Sequence, residues 1–144
     1  MSEDVSLHFR QAHWSEISAT LDHLAPRHPE RATFPYRPTD GWLYPEGLNF
    51  VTLERYTDCQ AEHEPENIEA LHRLLGGPPS CSLGVNLRRQ RLYDTCTIVE
   101  FLCCKLLRLF PGLVDDHIGN FWVLEEIETG VTKTEGRFLD PYRT

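Results

Sequence analysis

The feature that most constrains the fold is the run of residues 93–110, which has the length and spacing of one long helix. Its apolar residues cover well over half of the helix circumference: Ile98, Val99, Leu102, Cys103, Leu106, Leu107, Leu109 and Phe110. A helix with so wide an apolar surface must be covered on several sides by the rest of the chain. We therefore expect it to form the buried centre of the domain.

Alternation and composition predict the strands around this helix. Apolar and polar residues alternate over residues 5–10, which is typical of a half-buried strand, and alternate most clearly over residues 81–88. Residues 48–56 are rich in β-branched and aromatic side chains and predict another strand. A last strand is predicted over residues 121–127.

Two shorter amphipathic helices are predicted between these strands. The first follows Ser15 as a candidate N-cap, and the second begins at Pro65, because proline is accepted in a first helical turn. Residues 25–47 hold five prolines and two glycines, so we expect a loop there, enclosing a short extended piece at residues 34–37.

The order of elements favours the α+β class. We predict a single two-layer domain over residues 1–144, with an antiparallel or mixed sheet of four or five strands and about three helices, mainly on one face. The connections are too short for parallel crossovers throughout, which disfavours a doubly wound fold. The hydrophobic fraction of 40% and charged fraction of 25% are those of a globular protein.

Charge excludes one class of ligand. The net charge is −8, from 22 acidic and 14 basic residues, so nucleic acid is not an expected partner, because phosphate binding requires a positive field. No apolar run approaches the roughly 18 residues of a membrane span, and residues 1–10 lack the pattern of a signal peptide. The sequence therefore predicts a cytoplasmic protein without a membrane segment.

The sequence gives little support for a disulfide scaffold, a reactive cysteine or a metal site. The five cysteines are odd in number and irregularly spaced, which argues against a disulfide scaffold or a zinc ribbon. Cys103 and Cys104 stand among leucines in the long helix, where burial favours the inert thiol. On one helix face, Cys59, Glu62, His63 and Glu66 could hold zinc. However, Pro65 interrupts any helix through them, and a further ligand, such as His72, would have to come from elsewhere. We assign no catalytic residue, metal ligand or cofactor.

The stretch VDDHIGNFWVLEEIETG, residues 114–130, could be a functional site or a structural turn. Asp115, Asp116 and His117 could bind a cation or supply a general base, but consecutive side chains seldom converge on one point. The same residues suit a turn between the long helix and the last strand, since aspartate favours turns and Gly119 permits a tight return. We favour the turn.

An acidic surface with aromatic anchors remains. If residues 121–127 form a strand, Glu126 and Glu128 face one side and Glu125 the other, close to Trp122. Aromatic residues ringed by charge are common at the centres of interfaces. The first-choice contact set for a basic partner is Asp115, Asp116, Trp122, Glu125, Glu126 and Glu128. The second-choice set is Glu62, Glu64 and Glu66.

In size, acidity and element order, the chain is similar to the small immunity proteins of bacterial toxin systems. The ending GLVDDHIGNFWVLEEIETG resembles the C-terminal part of some single-domain immunity families. The resemblance implies that the protein inhibits a cognate toxin in the producing cell by direct binding, without catalysis or a cofactor.

Two other classes stay open. A small-molecule or regulatory module would place a pocket between sheet and helices, lined by Trp14, Trp42 and Trp122. An enzyme would use His63, His117 or a cysteine, and would reveal itself by stoichiometric metal or by rapid labelling of one thiol.

Overall fold

A computed structural model describes residues 4–24, 41–46, 49–55, 65–86, 92–134 and 136–143. The elements follow one another along the chain as β1 (Asp4–Phe9), α1 (Trp14–Leu24), β2 (Gly41–Glu46), β3 (Asn49–Arg55), α2 (Pro65–Leu75), β4 (Cys81–Asn86), α3 (Leu92–Leu109), β5 (Gly112–Asp115), β6 (Phe121–Trp122) and α4 (Leu124–Thr129). A short 3-10 helix at Asp140–Tyr142 comes last.

The strands form one antiparallel sheet in the order β2-β3-β4-β1-β5-β6. β1 is central: it pairs with β4 along its whole length and with β5 on its other side. The predicted α+β class with an antiparallel sheet is confirmed, and the two-residue strand β6 extends the sheet beyond the four or five strands expected.

One face of the sheet, here the core face, carries most of the apolar core. Val5, Leu7 and Phe9 of β1 point to this face and pack with buried residues of α1, α3 and α4. Helix α3 contributes most, with eight fully or nearly fully buried side chains: Cys96, Ile98, Val99, Leu102, Cys103, Cys104, Leu106 and Leu107. The long helix is buried as predicted, and three of the four helices in the described ranges lie on this face.

The opposite face, here the α2 face, is covered by one helix. Leu71 and Leu75 of α2 pack against Leu113 of β5 and Phe121 of β6. Because this face is covered too, Ser6 and His8 are buried, with exposures of 1% and 0%. The prediction of a half-buried first strand is therefore wrong: β1 is enclosed on both faces.

The helix starts agree with the sequence in one case and differ in the other. Helix α2 begins at Pro65, as predicted. Helix α1 begins at Trp14, so Ser15 lies inside the first turn and is not the N-cap. The Glu16 side chain accepts the His13 backbone N–H at 3.0 Å instead, which satisfies one of the free donors at the helix start.

Strand β2 lies in the proline-rich stretch that was expected to be a loop. It forms an edge of the sheet and contains Pro45, which is tolerated there because an edge strand leaves some backbone donors without a strand partner. The predicted extended piece at residues 34–37 lies outside the described residues.

The predicted last strand over residues 121–127 is wrong after Trp122. Leu124–Thr129 form α4, and the Glu126 carboxylate accepts the Val123 backbone N–H at 3.0 Å, which caps the helix start. Gly130 ends the helix with φ of 72°, a left-handed conformation that glycine adopts without strain. The three glutamates thus project from a helix and not alternately from a strand.

Candidate functional site

Asp116 is the centre of the aspartate turn, which comprises Asp115 at the end of β5 and the loop of residues 116–120 that leads to β6. One carboxylate oxygen, Oδ1, accepts the backbone N–H groups of Ile118 and Asn120, each at 3.0 Å. The other, Oδ2, accepts the indole N–H of Trp122 at 2.9 Å. Three N–H donors therefore occupy this buried carboxylate, and its role is to shape the turn.

Trp122 connects this turn to the C-terminal segment, here the residues that follow α4. Its ring meets the Phe138 ring edge to face, with centroids 5.6 Å apart, and the Lys133 ammonium lies 5.0 Å from the indole centroid. The Tyr142 hydroxyl donates to the Asp116 backbone carbonyl at 2.9 Å. Residues far apart in the chain thus close over the aspartate turn.

These contacts correct half of the first-choice contact set. Asp115, Asp116 and Trp122 are 5%, 2% and 2% exposed, so they do not form a surface for a partner. The turn interpretation holds for Asp116 and His117, but Asp115 ends β5, a strand that the sequence did not predict, so the turn joins two strands and not the long helix to a strand. The Asp116 oxygens accept N–H groups of the turn and of Trp122 and do not converge with Asp115 on one point. Burial is the reason: β5 and β6 carry these side chains under α2 and the C-terminal segment.

Ser6, His117 and Asp115 form a cluster that sequence reasoning missed. The Ser6 hydroxyl lies 2.8 Å from His117 Nε2, and His117 Nδ1 lies 3.7 Å from an Asp115 carboxylate oxygen. These residue types are those of a serine nucleophile with its base, but the second distance is longer than a hydrogen bond. Ser6 is also enclosed on the α2 face, so a substrate cannot reach its hydroxyl in this conformation.

A second serine–histidine pair lies beside the first. His8 Nδ1 and the Ser82 hydroxyl are 2.7 Å apart, and both residues are buried on the α2 face. The register places His8 opposite Ser82 on one side and Leu113 on the other. The polar residues that alternate with apolar ones in β1 were the sequence signal for these pairs. Only the structure shows that α2 covers these residues, and burial then requires the hydroxyls and imidazoles to hydrogen-bond with each other.

Two of the three glutamates of α4 are neutralised. Glu126 pairs with Lys133 at 3.0 Å, and Glu128 pairs with Arg108 at 2.7 Å. The hydrogen bond from Arg108 to Glu128 raises the pKa of the guanidinium further above its ordinary value. Glu125 is exposed and has no ion-pair partner among the described residues. Of the first-choice set, Glu125 alone is a free surface carboxylate.

The second-choice set is placed in part. Glu66 is exposed in the first turn of α2, whereas Glu62 and Glu64 lie outside the described residues. Glu69, one helical turn after Glu66, is exposed as well. Residues three apart lie on one face of a helix, so Glu66 and Glu69 present their carboxylates together.

Two of the three tryptophans expected to line a pocket, Trp14 and Trp122, lie far apart. Trp14 has the Arg55 guanidinium 5.1 Å from its ring centroid and so lies beside β3, whereas Trp122 is on β6. The strands β4, β1 and β5 separate these two, which at the usual strand spacing is roughly 19 Å. The side chain of Trp42 lies outside the described residues.

Metal ligands do not gather in the part of the chain that the structure describes: no group of three or more His, Cys, Asp or Glu side chains could hold an ion there. Of the possible zinc set, Cys59, Glu62 and His63 lie outside this part. No helix of the described ranges is long and apolar enough to cross a membrane.

The four described cysteines are free thiols and are buried: Cys81, Cys96, Cys103 and Cys104. Burial raises the thiol pKa of Cys81, Cys103 and Cys104, most strongly for Cys103 in the middle of α3. The predicted inert state of Cys103 and Cys104 agrees with this, because the thiolate is the reactive form.

Thiol labelling should reflect this burial. In a Cys59→Ser variant, a disulfide reagent at pH 8 should modify the native protein slowly and label all four remaining thiols quickly only in denaturant. Less than about one tenth of a thiol with a pKa above 9 is ionised at that pH. Rapid labelling of a single thiol in the native protein would contradict the burial and favour a cysteine-dependent enzyme.

Comparison with models of known families, with curated proteins and with solved structures finds no match to this chain.

Proposed function

We propose that this protein is a non-catalytic inhibitor that binds and neutralises a cognate toxin with a basic surface. The contact is made by the acidic face of α2, defined by Glu66 and Glu69. This proposal keeps the immunity function that the sequence suggests, but it moves the contact away from the aspartate turn, whose carboxylates are buried.

The observation that carries the proposal is the two-sided character of α2. Leu71 and Leu75 hold the helix against the sheet, while Glu66 and Glu69 are exposed and have no ion-pair partner among the described residues. The chain also supplies Glu62 and Glu64 immediately before the helix. Four carboxylates thus lie in the first half of α2 and just before it in the sequence, whereas the bases of the helix, His72 and Arg73, are in its last turn.

Electrostatics explains why such a face suits a basic partner. Opposite potentials on two proteins speed their encounter and orient them before contact. The attraction between exposed charges is screened beyond about 8 Å at physiological ionic strength, so association should slow as salt is added. By contrast, Glu126 and Glu128 on α4 already form ion pairs with basic residues of the same chain. They therefore contribute less to the electrostatic potential around the protein.

Co-expression tests the function directly. The product of the adjacent reading frame, produced alone in a bacterial host, should arrest growth, and this chain should restore growth and copurify with that product. A basic protein recovered in stoichiometric amount supports the proposal. A neighbouring product that is harmless, or whose toxicity this chain does not relieve, would contradict it.

Charge reversal tests the surface. We expect Glu66→Lys combined with Glu69→Lys to slow association with the toxin about tenfold at low salt and to flatten its salt dependence. The matched control is Glu125→Lys with Glu128→Lys, which changes the charge equally on α4, on the other face of the sheet. Stopped-flow association rates give the comparison, and thermal unfolding shows that each variant is folded. If both double variants slow association equally, α2 is not the contact surface.

A further inference from the structure

A groove runs along the outer side of α3, between that helix and the C-terminal part of the chain. One side of the groove is α3 from Thr97 to Arg108. The other side is the end of α4 together with residues from the range 137–143. The volume of the groove is about 670 Å³, and it is open to solvent. It lies on the helical layer of the core face, whereas α2 lies on the opposite face of the sheet.

The length of the groove suits an extended peptide. The residues of α3 that line it follow helical spacing and so form one stripe: Thr97, Glu100, Phe101, Cys104 and Arg108. At the helical rise per residue this stripe is roughly 16 Å long. An extended chain covers that distance in about five residues.

One guanidinium of the groove has no carboxylate partner. Arg143 lies 3.6 Å from Glu100 and 3.1 Å from Asp140, and Arg108 lies 2.7 Å from Glu128, so these two arginines are paired. Arg137 is exposed and has no carboxylate within ion-pair distance in the described part of the chain. The groove thus contains one unmatched guanidinium, although the whole protein has a net charge of −8.

Arg137 and Phe101 line the groove from its two sides. The Arg137 guanidinium carbon lies 3.6 Å from where a side chain of Gly130 would begin, an ordinary contact distance, so the guanidinium lies beside the C-terminal end of α4. Phe101 is 50% exposed on α3, and the Lys105 ammonium lies 5.9 Å from its ring centroid. An apolar surface and free guanidinium donors therefore line the same groove.

We propose that the groove binds an extended, acidic segment of about five residues from a partner protein. A carboxylate of that segment pairs with the Arg137 guanidinium, and an apolar side chain packs on Phe101. The occupant is a peptide segment because the groove is long and open, and it is acidic because the unmatched group is cationic. This site is on other residues than the acidic face of α2, so it stands whether or not the partner of α2 is a toxin.

Fluorescence anisotropy with short peptides tests the site. The probes are fluorescein-labelled, acetylated pentapeptides in which Glu or Asp alternates with Leu or Phe, and a matched set carries Gln or Asn in place of the acids. We expect members of the acidic set to bind at least about tenfold more tightly than their amide counterparts. Arg137→Gln should remove this difference, whereas Arg73→Gln, which deletes an exposed arginine of α2, should preserve it.

Three results would overturn the proposal. They are no binding of any acidic peptide at millimolar concentration, equal affinity for the acidic and amide sets, and equal losses in the Arg137 and Arg73 variants. Tighter binding of a short oligothymidylate than of any peptide would also overturn it, since the occupant would then be nucleic acid. None of these outcomes depends on the toxin, so the failure of this site and the failure of the inhibitor function can be told apart.

Discussion

Replacing Gly112 with alanine should lower the free energy of unfolding by about 3 kcal/mol or more. Gly112 starts β5 opposite Phe9 of β1, and an added Cβ would overlap the His8 carbonyl oxygen and lie 3.1 Å from the Phe9 Cα. These are backbone atoms of the central strand, so no side-chain rotation can relieve the overlap. Strand β5 must separate from β1, which opens the ladder and the core on both faces.

Gly84 of β4 provides the matched control. A Cβ there would lie 3.6 Å from the Glu54 carbonyl oxygen, which is an ordinary contact, so Gly84→Ala should change stability by no more than about 1 kcal/mol. Urea unfolding followed by tryptophan fluorescence measures both variants. Similar midpoints for the two alanine variants would show that β5 does not approach β1 as closely as described.

The substitution Asp116→Ala should cost about 3 kcal/mol of stability, because it leaves the donors of Ile118, Asn120 and Trp122 without their acceptor. A buried donor that loses its partner retains its full desolvation penalty. Asp116→Asn should be milder, since an amide oxygen can still accept from the turn while its NH₂ group opposes the indole N–H.

Glu125→Ala is the control for this prediction. It also removes a carboxylate, but from an exposed position on α4, and should change stability by less than about 0.5 kcal/mol. Chemical denaturation gives the free energy of unfolding of the three variants. If Asp116→Ala is no more destabilising than Glu125→Ala, the carboxylate is not the centre of the aspartate turn, and a surface role for it becomes tenable again.

Local pattern was sufficient wherever an element's identity depends on its own residues. The spacing of apolar residues in α3 and the alternation in β1 and β4 predicted those elements, because helix and strand periods place side chains on faces directly. The error at α4 has a local cause as well. Phe121 and Val123 favour a strand, yet Glu126 stands three residues after Val123, where its carboxylate can cap a helix.

The candidate site was harder to predict, because it depends on which side chains reach solvent. Asp116 and Glu125 are both acidic residues of one short stretch, yet one is buried under hydrogen bonds and the other is exposed. Nothing in the stretch itself distinguishes them. The contacts that do so come from Trp122, Phe138 and Tyr142, which close over the turn from β6 and the C-terminal segment.

Spacing and composition along the chain were enough to predict the helical centre, the strands β1, β3 and β4, the α+β class and the excess of negative charge. Only the tertiary structure decided that α2 covers the second face of the sheet, that the aspartates lie inside, and that Arg137 faces a groove. The reason is that burial and ion pairing are properties of surfaces brought together by folding. The same carboxylate binds a backbone amide in one place and meets water in another.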